Sequence, residues 1–405
     1  MRSYRLHPTK ESAGTIGSFS ALCIALDLKS NHFADALSIP SEQRYTRKVI
    51  PKKDGTDRVV YNPHHLIRKI QHRLNKRLFS VPEIIRWPDY IFGSIPNDIE
   101  SDSELDGTVS NRDYINCARQ HCGAKSILTV DIKNFFDNVH QDHVCEIFTD
   151  FFCFPTEVAE ILADLCCHRE SLPQGALTSS YLATLCLYKY EGALVKKLRH
   201  KSLTYTRFVD DITVSTKVAN YEFGYALSQI ERTLSEAGLP LNLQKTRIQY
   251  ASMKPLIVHG LRVDFDEPRL PPEDPRKIRA AVKNLELLAA SPGYRASRAY
   301  RKDFNRCMGR VNKLGRVGHS QHSVLLSRLK KILPLPSHMD IERAEKQIAR
   351  LKNDFLKPGY QDTIWFRKRF FVASERLGVL KRSFPKKADE LRNELRAINP
   401  PKNHV

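Results

Sequence analysis

Residues 205–215 read YTRFVDDITVS, so two adjacent carboxylates, Asp210 and Asp211, lie between runs of β-branched and aromatic residues. This pattern predicts a strand, a tight turn and a second strand. Unpaired carboxylates are costly inside a core, whereas hard oxygen ligands suit a divalent cation. An isolated Asp-Asp pair is also a common way to build a plain turn. Features elsewhere in the chain are needed to distinguish a cation site from a plain turn.

The charge of the chain is concentrated in its last third. The 405 residues are 41% hydrophobic and 27% charged, which is typical of a globular protein of two or three domains. The net charge is +20. Residues 269–405 hold 32 Lys and Arg against 13 Asp and Glu, whereas residues 1–268 hold 33 against 32. We therefore expect a polyanionic partner to bind the C-terminal third.

The cysteines and apolar segments favour a cytoplasmic protein that is not in a membrane. None of the nine cysteines has a His or Cys partner at zinc-ligand spacing, so reduced thiols are expected and zinc is not. The apolar run 19–26 ends in Asp27 without a cleavage site, which favours a buried helix over a signal peptide. No apolar run is long enough to span a bilayer.

Periodicity and breakers divide the chain into four regions, and no internal repeat is evident. The Pro-rich residues 268–275 mark the last boundary. The predicted features are an N-terminal region 1–44 with a short helical segment over 16–37, a basic hairpin 45–61, an acidic surface insertion 97–112, a strand 126–130, helices 141–152 and 156–167, a long helix 179–198, a strand 246–251 and a basic helical region 268–405.

A third carboxylate, Asp131, closes the strand 126–130. Strands of one sheet can bring Asp131, Asp210 and Asp211 together. Carboxylates in such a cluster can hold two magnesium ions about 3.5–4 Å apart. An ion pair of this kind activates a 3′-hydroxyl and stabilises the leaving pyrophosphate in phosphoryl transfer.

Three motifs resemble, in order and spacing, successive motifs of reverse transcriptases. They are DIKNFFD at 131–137, LPQGALTS at 172–179 and FVDD at 208–211, and the resemblance extends over roughly 45–265. It implies an α+β right-hand polymerase fold with an antiparallel palm sheet, fingers and a basic α-helical thumb. The fingers would be 45–125, the palm 126–265 with finger elements within 141–170, and the thumb 268–405.

The resemblance implies roles for the acids. Asp131 and Asp210 match the carboxylates that bridge both metals, which would be Mg²⁺ with Mn²⁺ as an alternative. Asp211 matches the second acid of the pair, which binds metal less directly, and a turn-forming role remains its alternative. Lys245 matches the lysine that protonates the departing pyrophosphate, which is general acid catalysis.

The same resemblance implies contacts with the incoming dNTP. Phe136 matches the aromatic residue that lies under the sugar and excludes a 2′-hydroxyl, although a core position is its alternative. Gln174 and Gly175 match the loop against the nucleotide, where glycine allows close approach. Arg58 would clamp the triphosphate. The other cations of the basic hairpin are Lys52 and Lys53, for which solvated surface charge is an equal alternative.

Further features resemble bacterial retron enzymes. Val258, His259 and Gly260 resemble the primer grip, where retrons commonly carry Val-Thr-Gly. Residues 117–121, CARQH, resemble a retron motif that begins with Asn, but Cys117 stands at the Asn position. Retrons usually carry Tyr-Ala-Asp-Asp where this chain has FVDD. Retrons proper and other defence-associated reverse transcriptases therefore both stay open.

The basic thumb implies a structured non-coding RNA as partner. Its cations recur at helical spacing, and interleaved aromatic residues either stack on bases or pack in the thumb core. The segment 365–371, WFRKRFF, either grips RNA or anchors the last helix. The expected RNA-binding residues are Arg298, Arg301, Lys302, Arg306, Arg310 and Lys313.

The leading hypothesis is an RNA-directed DNA polymerase that copies part of an associated RNA into cDNA for phage defence, with an effector protein as an open partner. A template-independent or repetitive-product polymerase is one alternative. An RNA-binding or antitoxin-like module with a vestigial site is another. The intact acids, Gln174 and Lys245 argue against a vestigial site.

Overall fold

The computed structural model describes residues 5–12, 14–51, 55–97 and 111–400. The chain forms two compact units, Met1–Arg269 and Leu270–Val405, which are described separately below. Among the described residues, no helix is both long and apolar enough to cross a bilayer. The acidic insertion predicted at 97–112 lies largely outside the described residues.

The first unit combines short strands with helices around one large apolar core. Its strands are β1 (Thr9–Lys10), β2 (Tyr45–Pro51), β3 (Asp57–Pro63), β4 (Ile85–Arg86), β5 (Ile91–Phe92), β6 (Ser126–Asp131), β7 (Thr204–Phe208), β8 (Asp211–Thr216), β9 (Arg247–Tyr250), β10 (Ile257–Val258) and β11 (Leu261–Arg262). Its helices are α1 (Phe19–Leu26), α2 (Ser30–Leu37), α3 (His65–Leu74), α4 (Tyr114–Arg119), α5 (Gln141–Glu146), α6 (Thr156–Cys166), α7 (Ser179–Leu185), α8 (Glu191–His200) and α9 (Gly224–Glu236).

A five-stranded sheet in the order β5-β7-β8-β6-β9 holds the three acids. The pairs β7–β8, β8–β6 and β6–β9 are antiparallel, as predicted, but β5 runs parallel to β7. A fully antiparallel sheet was therefore wrong at this edge. Strand β5 arrives from a distant segment and is not joined to β7 by a hairpin, so no tight turn imposes antiparallel pairing.

The basic hairpin forms as predicted. Strands β2 and β3 pair from Tyr45↔Pro63 to Pro51↔Asp57, and the pairing sets Ile50 opposite Arg58. Most of this hairpin is exposed. Amphipathic α3 follows and buries Ile67, Ile70 and Leu74.

One predicted helix is divided in two. The predicted helical segment 16–37 contains α1 and α2, which are separated by Asp27 in a left-handed conformation with φ of 52°, and the buried helix expected over 19–26 is α1. The helix predicted at 179–198 is α7 and α8, interrupted at 186–190 without proline or glycine. Helix α8 begins at the buried Glu191, whose partner is Arg207 on β7. This tertiary ion pair is not visible in local periodicity.

The second unit consists of two three-helix bundles in tandem. In each bundle all three helices contact one another, α10 with α11 and α12, and α13 with α14 and α15. The helices are α10 (Glu273–Ala290), α11 (Arg298–Arg316), α12 (Gln321–Lys331), α13 (His338–Phe355), α14 (Ile364–Leu380) and α15 (Pro385–Arg396).

These bundles are internal repeats, so the expectation of no repeat was wrong. The loops before α11 and α14 read PGYRASRAYRKDF (292–304) and PGYQDTIWFRKRF (358–370). Gly293 and Gly359 are left-handed, with φ of 70° and 72°, and Ser297 and Thr363 cap the helices that follow. The equivalent buried pairs, each 66 positions apart, are Ile278/Ala344, Val282/Ile348, Leu285/Leu351, Tyr300/Phe366, Phe304/Phe370, Cys307/Ala373, Val311/Leu377, Leu314/Leu380, Leu325/Leu391 and Leu329/Leu395.

The repeat also explains the aromatic segment 365–371. Phe366 and Phe370 are buried, and they match Tyr300 and Phe304 in the first bundle. These rings therefore hold their bundle together. Trp365 and Phe371 point outward and are 50% and 65% exposed.

Candidate active site

The three acids meet at one end of the five-stranded sheet. Asp131, the last residue of β6, is directly opposite Asp211, the first residue of β8. Val209 and Asp210 form the turn between β7 and β8, because Phe208 pairs with Asp211. The Asp210 carbonyl accepts a hydrogen bond from the Ile132 amide at 3.2 Å. The turn is thus tied to the end of β6.

Asp131 is nearly buried and is held by two side chains from the 241–246 segment. The Lys245 ammonium lies 3.1 Å from both carboxylate oxygens, and the Asn242 amide donates to Oδ2 at 2.9 Å. The Asn242 backbone also donates to the Asp131 carbonyl at 2.9 Å. Lys245 therefore neutralises one acid of the group directly.

The other two carboxyls are harder to ionise than ordinary aspartates. Burial raises the pKa of Asp210, and the Asp131 charge adds to this effect, while Lys245 and Arg58 oppose it. Withdrawal from water and the charges of Asp210 and Asp131 raise the pKa of Asp211 to about 6. Asp211 keeps an exposed surface, so a concave setting rather than full burial causes the shift. Crowded carboxylates of this kind favour a bound cation.

A buried arginine supports the acid turn. Val209 is left-handed, with φ of 59°, which is strained for a β-branched residue. The Arg207 guanidinium donates to the Val209 carbonyl at 3.0 Å and to both Glu191 oxygens at 2.6 and 2.7 Å. Arg207 and Glu191 are 0% and 2% exposed. This ion pair therefore fixes the backbone one residue before Asp210.

The predicted nucleotide loop packs against the basic hairpin. The Tyr61 amide on β3 donates to the Gln174 carbonyl at 2.7 Å. Gly175 has φ of 107°, and an added Cβ would lie 2.9 Å from the Tyr61 carbonyl oxygen. Arg58 is exposed on the same strand, and its charge acts on Asp210. The loop and the hairpin thus form one wall beside the acids.

The remaining nucleotide residues have different settings. Phe136 is half-buried and lies 5.9 Å from the Phe135 ring, centroid to centroid. Phe135 is buried in the core, as predicted. Lys52 and Lys53 lie outside the described residues.

The predicted primer-grip turn faces the same cavity as the acids. Val258 and Leu261 pair across the turn, and His259 and Gly260 between them are both left-handed. The cavity has a volume of about 330 Å³, and its lining includes Asp131, Asp211, Lys245, Val258 and His259. Two of the acids, the lysine and the turn therefore share one cavity in the first unit.

The predicted RNA-binding residues lie on α11 of the second unit. Arg298, Lys302 and Arg310 are exposed. The other three make ion pairs: Arg301 with Asp340 at 3.2 Å, Arg306 with Asp303 at 3.5 Å and Lys313 with Asp274 at 2.8 Å.

The carboxylates suit a hard cation in chemistry but are not arranged as a finished ligand set. Within the described part of the chain, no group of three His, Cys, Asp or Glu side chains is placed to hold a metal ion. Asp131 directs both oxygens to Lys245. A cation bound here would therefore compete with the Lys245 ammonium for the same oxygens.

Sequence reasoning missed several residues that shape the site. Asn242 lies three residues before Lys245, and its amide on the same short segment as the predicted lysine was the available signal. Arg207 on β7 and Glu191 at the start of α8 carried no signal, because a charged residue usually faces solvent.

Comparisons with known proteins agree with the motifs. The sequence model of the family "Reverse transcriptase (RNA-dependent DNA polymerase)" matches residues 50–296. The chain is 42% identical to the retron Ec48 reverse transcriptase of Escherichia coli over 98% of this chain and 96% of that protein. It is 29% identical to the retron Se72 reverse transcriptase of Salmonella heidelberg over 78% and 80%.

A solved structure of telomerase from Candida tropicalis with a telomeric RNA fragment matches at 11% identity, covering 88% of this chain and 64% of that chain, with a TM-score of 0.40. That likeness is too low to carry an argument. The family match and the retron relatives imply a right-hand polymerase fold and dependence on a divalent metal. The chain belongs to the retron-type reverse transcriptases and is an RNA-directed DNA polymerase.

Proposed function

We propose that this reverse transcriptase copies part of a bound, structured non-coding RNA into DNA by two-metal phosphoryl transfer, in the service of phage defence. The observation that carries the catalytic part is the position of Asp131 opposite Asp211, with Asp210 in the adjoining turn and Lys245 against Asp131. The two relatives support an RNA template, since both are named retron reverse transcriptases.

Asp131, Asp210 and Asp211 would hold the two Mg²⁺ ions. When bound, the ions supply positive charge to the reacting phosphate and favour deprotonation of the primer hydroxyl. The raised pKa values of Asp210 and Asp211 support this assignment, because burial and the charges of neighbouring carboxylates raise them and a bound cation would offset both effects. Bound cations would therefore supply the positive charge that the protein's own side chains do not fully provide to these carboxyls.

Lys245 would act as the general acid. Its ammonium carries the proton that the departing pyrophosphate oxygen needs, and it lies beside the acids on a short connecting segment. Release from Asp131 frees the ammonium to reach the leaving group. One side chain therefore serves as a counter-ion before substrate binds and as a proton donor afterwards.

The wall of loop and hairpin would bind the dNTP. Arg58 would hold the triphosphate with Lys52 and Lys53, and Gln174 and Gly175 would present their backbone to the nucleotide. Phe136 would lie under the sugar and exclude a 2′-hydroxyl. Replacing Phe136 by alanine should then reduce discrimination against ribonucleotides.

The polymerase subdomains are assigned by the family resemblance: fingers 45–125, palm 126–265 and thumb 268–405, after the N-terminal segment 1–44. For the RNA we favour the first bundle of the second unit over the second. Residues 270–336 hold 15 Lys and Arg against 4 Asp and Glu, whereas residues 337–398 hold 15 against 9. Cations of both bundles make ion pairs, such as Lys313 with Asp274 in the first and Lys352 with Glu394 in the second, so the preference rests on the net charge. The α11 face therefore offers the greater attraction to phosphate.

Sequencing the nucleic acid that co-purifies with the protein, before and after adding Mg²⁺ and dNTPs, tests this function. We expect one structured RNA and a DNA complementary to part of it. DNA of simple repeats without a matching RNA would favour a template-independent polymerase.

A phage challenge with Asp210→Ala tests the defence role. Loss of protection is expected, with wild-type protein as the reference. Protection that persists at equal protein level would favour an RNA-binding module with a vestigial site.

A further inference from the structure

A chain of buried polar contacts connects the acid-bearing sheet to the 258–260 turn. The two ring nitrogens of His121 lie 2.7 Å from Ser215 Oγ on β8 and 2.7 Å from Thr206 Oγ1 on β7. Cys117 Sγ donates to Thr206 Oγ1 at 3.3 Å and lies 3.3 Å from His259 Nε2. The segment 117–121, which includes the end of α4 and precedes β6, therefore links both strands to the turn.

Both members of the last contact are neutral at physiological pH. Burial raises the pKa of the Cys117 thiol to about 12, against the effect of its hydrogen bond with Thr206. Burial lowers the pKa of His259 to about 4. With the thiol proton directed at Thr206, the tautomer of His259 that fits the network carries its hydrogen on Nε2 and donates to sulfur. Neutral partners make this contact compatible with its buried setting.

His259 is also held from the other side. Its backbone is left-handed, with φ of 47°, and its ring lies against Phe208 with 4.8 Å between centroids. Phe208 in turn fits beside Gly93, where an added Cβ would be 2.8 Å from the ring. The imidazole is thus clamped between Cys117 and the residue two positions before Asp210.

The two residues in contact are both departures from the retron pattern that this sequence otherwise resembles. Cys117 stands where Asn is expected, and His259 stands where Thr is expected. Their side chains touch although the positions are 142 residues apart. The two departures from the resembled pattern therefore lie in direct contact with each other.

We propose that Cys117 and His259 form a positioning pair that fixes the 258–260 turn against the acid turn, and so sets where the primer end lies relative to Asp131 and Asp210. This inference rests on the proposed role of the turn as the primer grip. Neither residue touches the reacting atoms. The pair acts through the backbone of a turn that lines the acid-bearing cavity.

A double-mutant cycle tests the pair, with Cys117→Ala, His259→Ala and the double variant, assayed on an RNA template annealed to a DNA primer. Each single change should raise KM for the primer–template about tenfold, as expected for a loss of about 1.4 kcal/mol, and leave KM for dNTP within about twofold. The double variant should be no worse than the poorer single, because residues in contact are not additive. The pair would be overturned if the two single effects on primer KM multiplied in the double variant. It would also be overturned if primer KM were unchanged in the single variants.

Cys122→Ala is the matched control, since Cys122 lies just beyond α4 and its thiol donates to the Ala118 carbonyl. It should behave as wild type in both KM values. Restoring the family pattern with Cys117→Asn and His259→Thr together should recover primer KM better than either change alone. Poorer binding by this double variant than by both singles would contradict the coupling.

Thermal unfolding of the same variants separates failure of this inference from failure of the proposed function. If Asp210→Asn still incorporates dNTP, the proposed function fails, yet the unfolding temperatures of the alanine cycle should still be non-additive. If Asp210→Asn is inactive but the Cys117 and His259 cycle is additive in both primer KM and unfolding temperature, the positioning pair is refuted and the proposed function stands.

Discussion

Replacing Arg207 by methionine should destabilise the first unit far more than an ordinary surface change. The substitution removes the buried guanidinium that donates to both oxygens of Glu191, and leaves that carboxylate with the Tyr205 hydroxyl at 2.9 Å. It also removes donors from the Thr184 and Val209 carbonyls. Breaking a buried pair by removing one partner costs about 3–5 kcal/mol, so we expect the free energy of unfolding to fall by about 4 kcal/mol.

Urea unfolding followed by tryptophan fluorescence measures this loss. The chain has two tryptophans, Trp87 in the first unit and Trp365 in the second, so a Trp365→Phe background makes Trp87 the reporter of the first unit. Arg199→Met is the matched control, because Arg199 pairs with Asp89 at the surface. That control should cost no more than about 1 kcal/mol.

Removing both charges of the buried pair is the decisive comparison. Arg207→Met combined with Glu191→Leu should recover at least about 2 kcal/mol of the loss, because no charge is then left buried without a partner. An Arg207→Met loss as small as that of the surface control would refute the reasoning. So would a double variant no more stable than the single.

Three further outcomes follow from the site. Because the pKa of Asp211 is raised in the folded protein, ionisation of this carboxyl opposes folding. Asp211→Asn, measured in EDTA, should therefore raise the unfolding temperature at pH 8, and this gain should fade below pH 4. A gain of equal size at both pH values would contradict this reasoning. Gly175→Ala should raise KM for dNTP at least about tenfold by strain against β3, and an unchanged KM would contradict that contact. Lys302→Glu with Arg310→Glu should weaken RNA binding and flatten its salt dependence, whereas exposed Lys386→Glu on the second bundle should do little; equal effects would contradict the preference for the first bundle.

Local pattern was enough to predict the elements that carry the acids. Alternating β-branched residues around Asp210 gave the correct strand pair, and the strand that ends at Asp131 formed with the predicted boundary. A run of β-branched and aromatic residues that is followed by polar residues shows, from short-range sequence alone, where a strand ends. The meeting of Asp131 with Asp211 was predictable because the two strands belong to one sheet.

Features that depend on distant contacts escaped the same reasoning. The break between α7 and α8 has no proline or glycine, and α8 begins at Glu191, whose buried partner Arg207 lies on another element. The tandem bundles left only a short sequence signal, the PGY and RK-x-F residues shared by 292–304 and 358–370, and it was overlooked. Several other equivalent positions exchange residue types, such as Cys307 with Ala373, because a core needs matching volume and apolarity rather than identity.

The same limit applies within the site. Lys245 was assigned from resemblance, but its contact with both oxygens of Asp131 depends on how the 241–246 segment folds against β6. The contact of Cys117 with His259 likewise joins positions that no local pattern connects.

Primer extension on an RNA template with purified wild-type protein and Asp210→Asn is the most direct test of the central claim. With Mg²⁺ and dNTPs, the wild-type protein should make DNA complementary to the template, and chelation of the metal should stop it. Asp210→Asn should make none while retaining its RNA and an unfolding temperature no lower than that of the wild type. Complementary DNA made by Asp210→Asn at the wild-type rate would contradict the assignment of the acid turn as the catalytic centre.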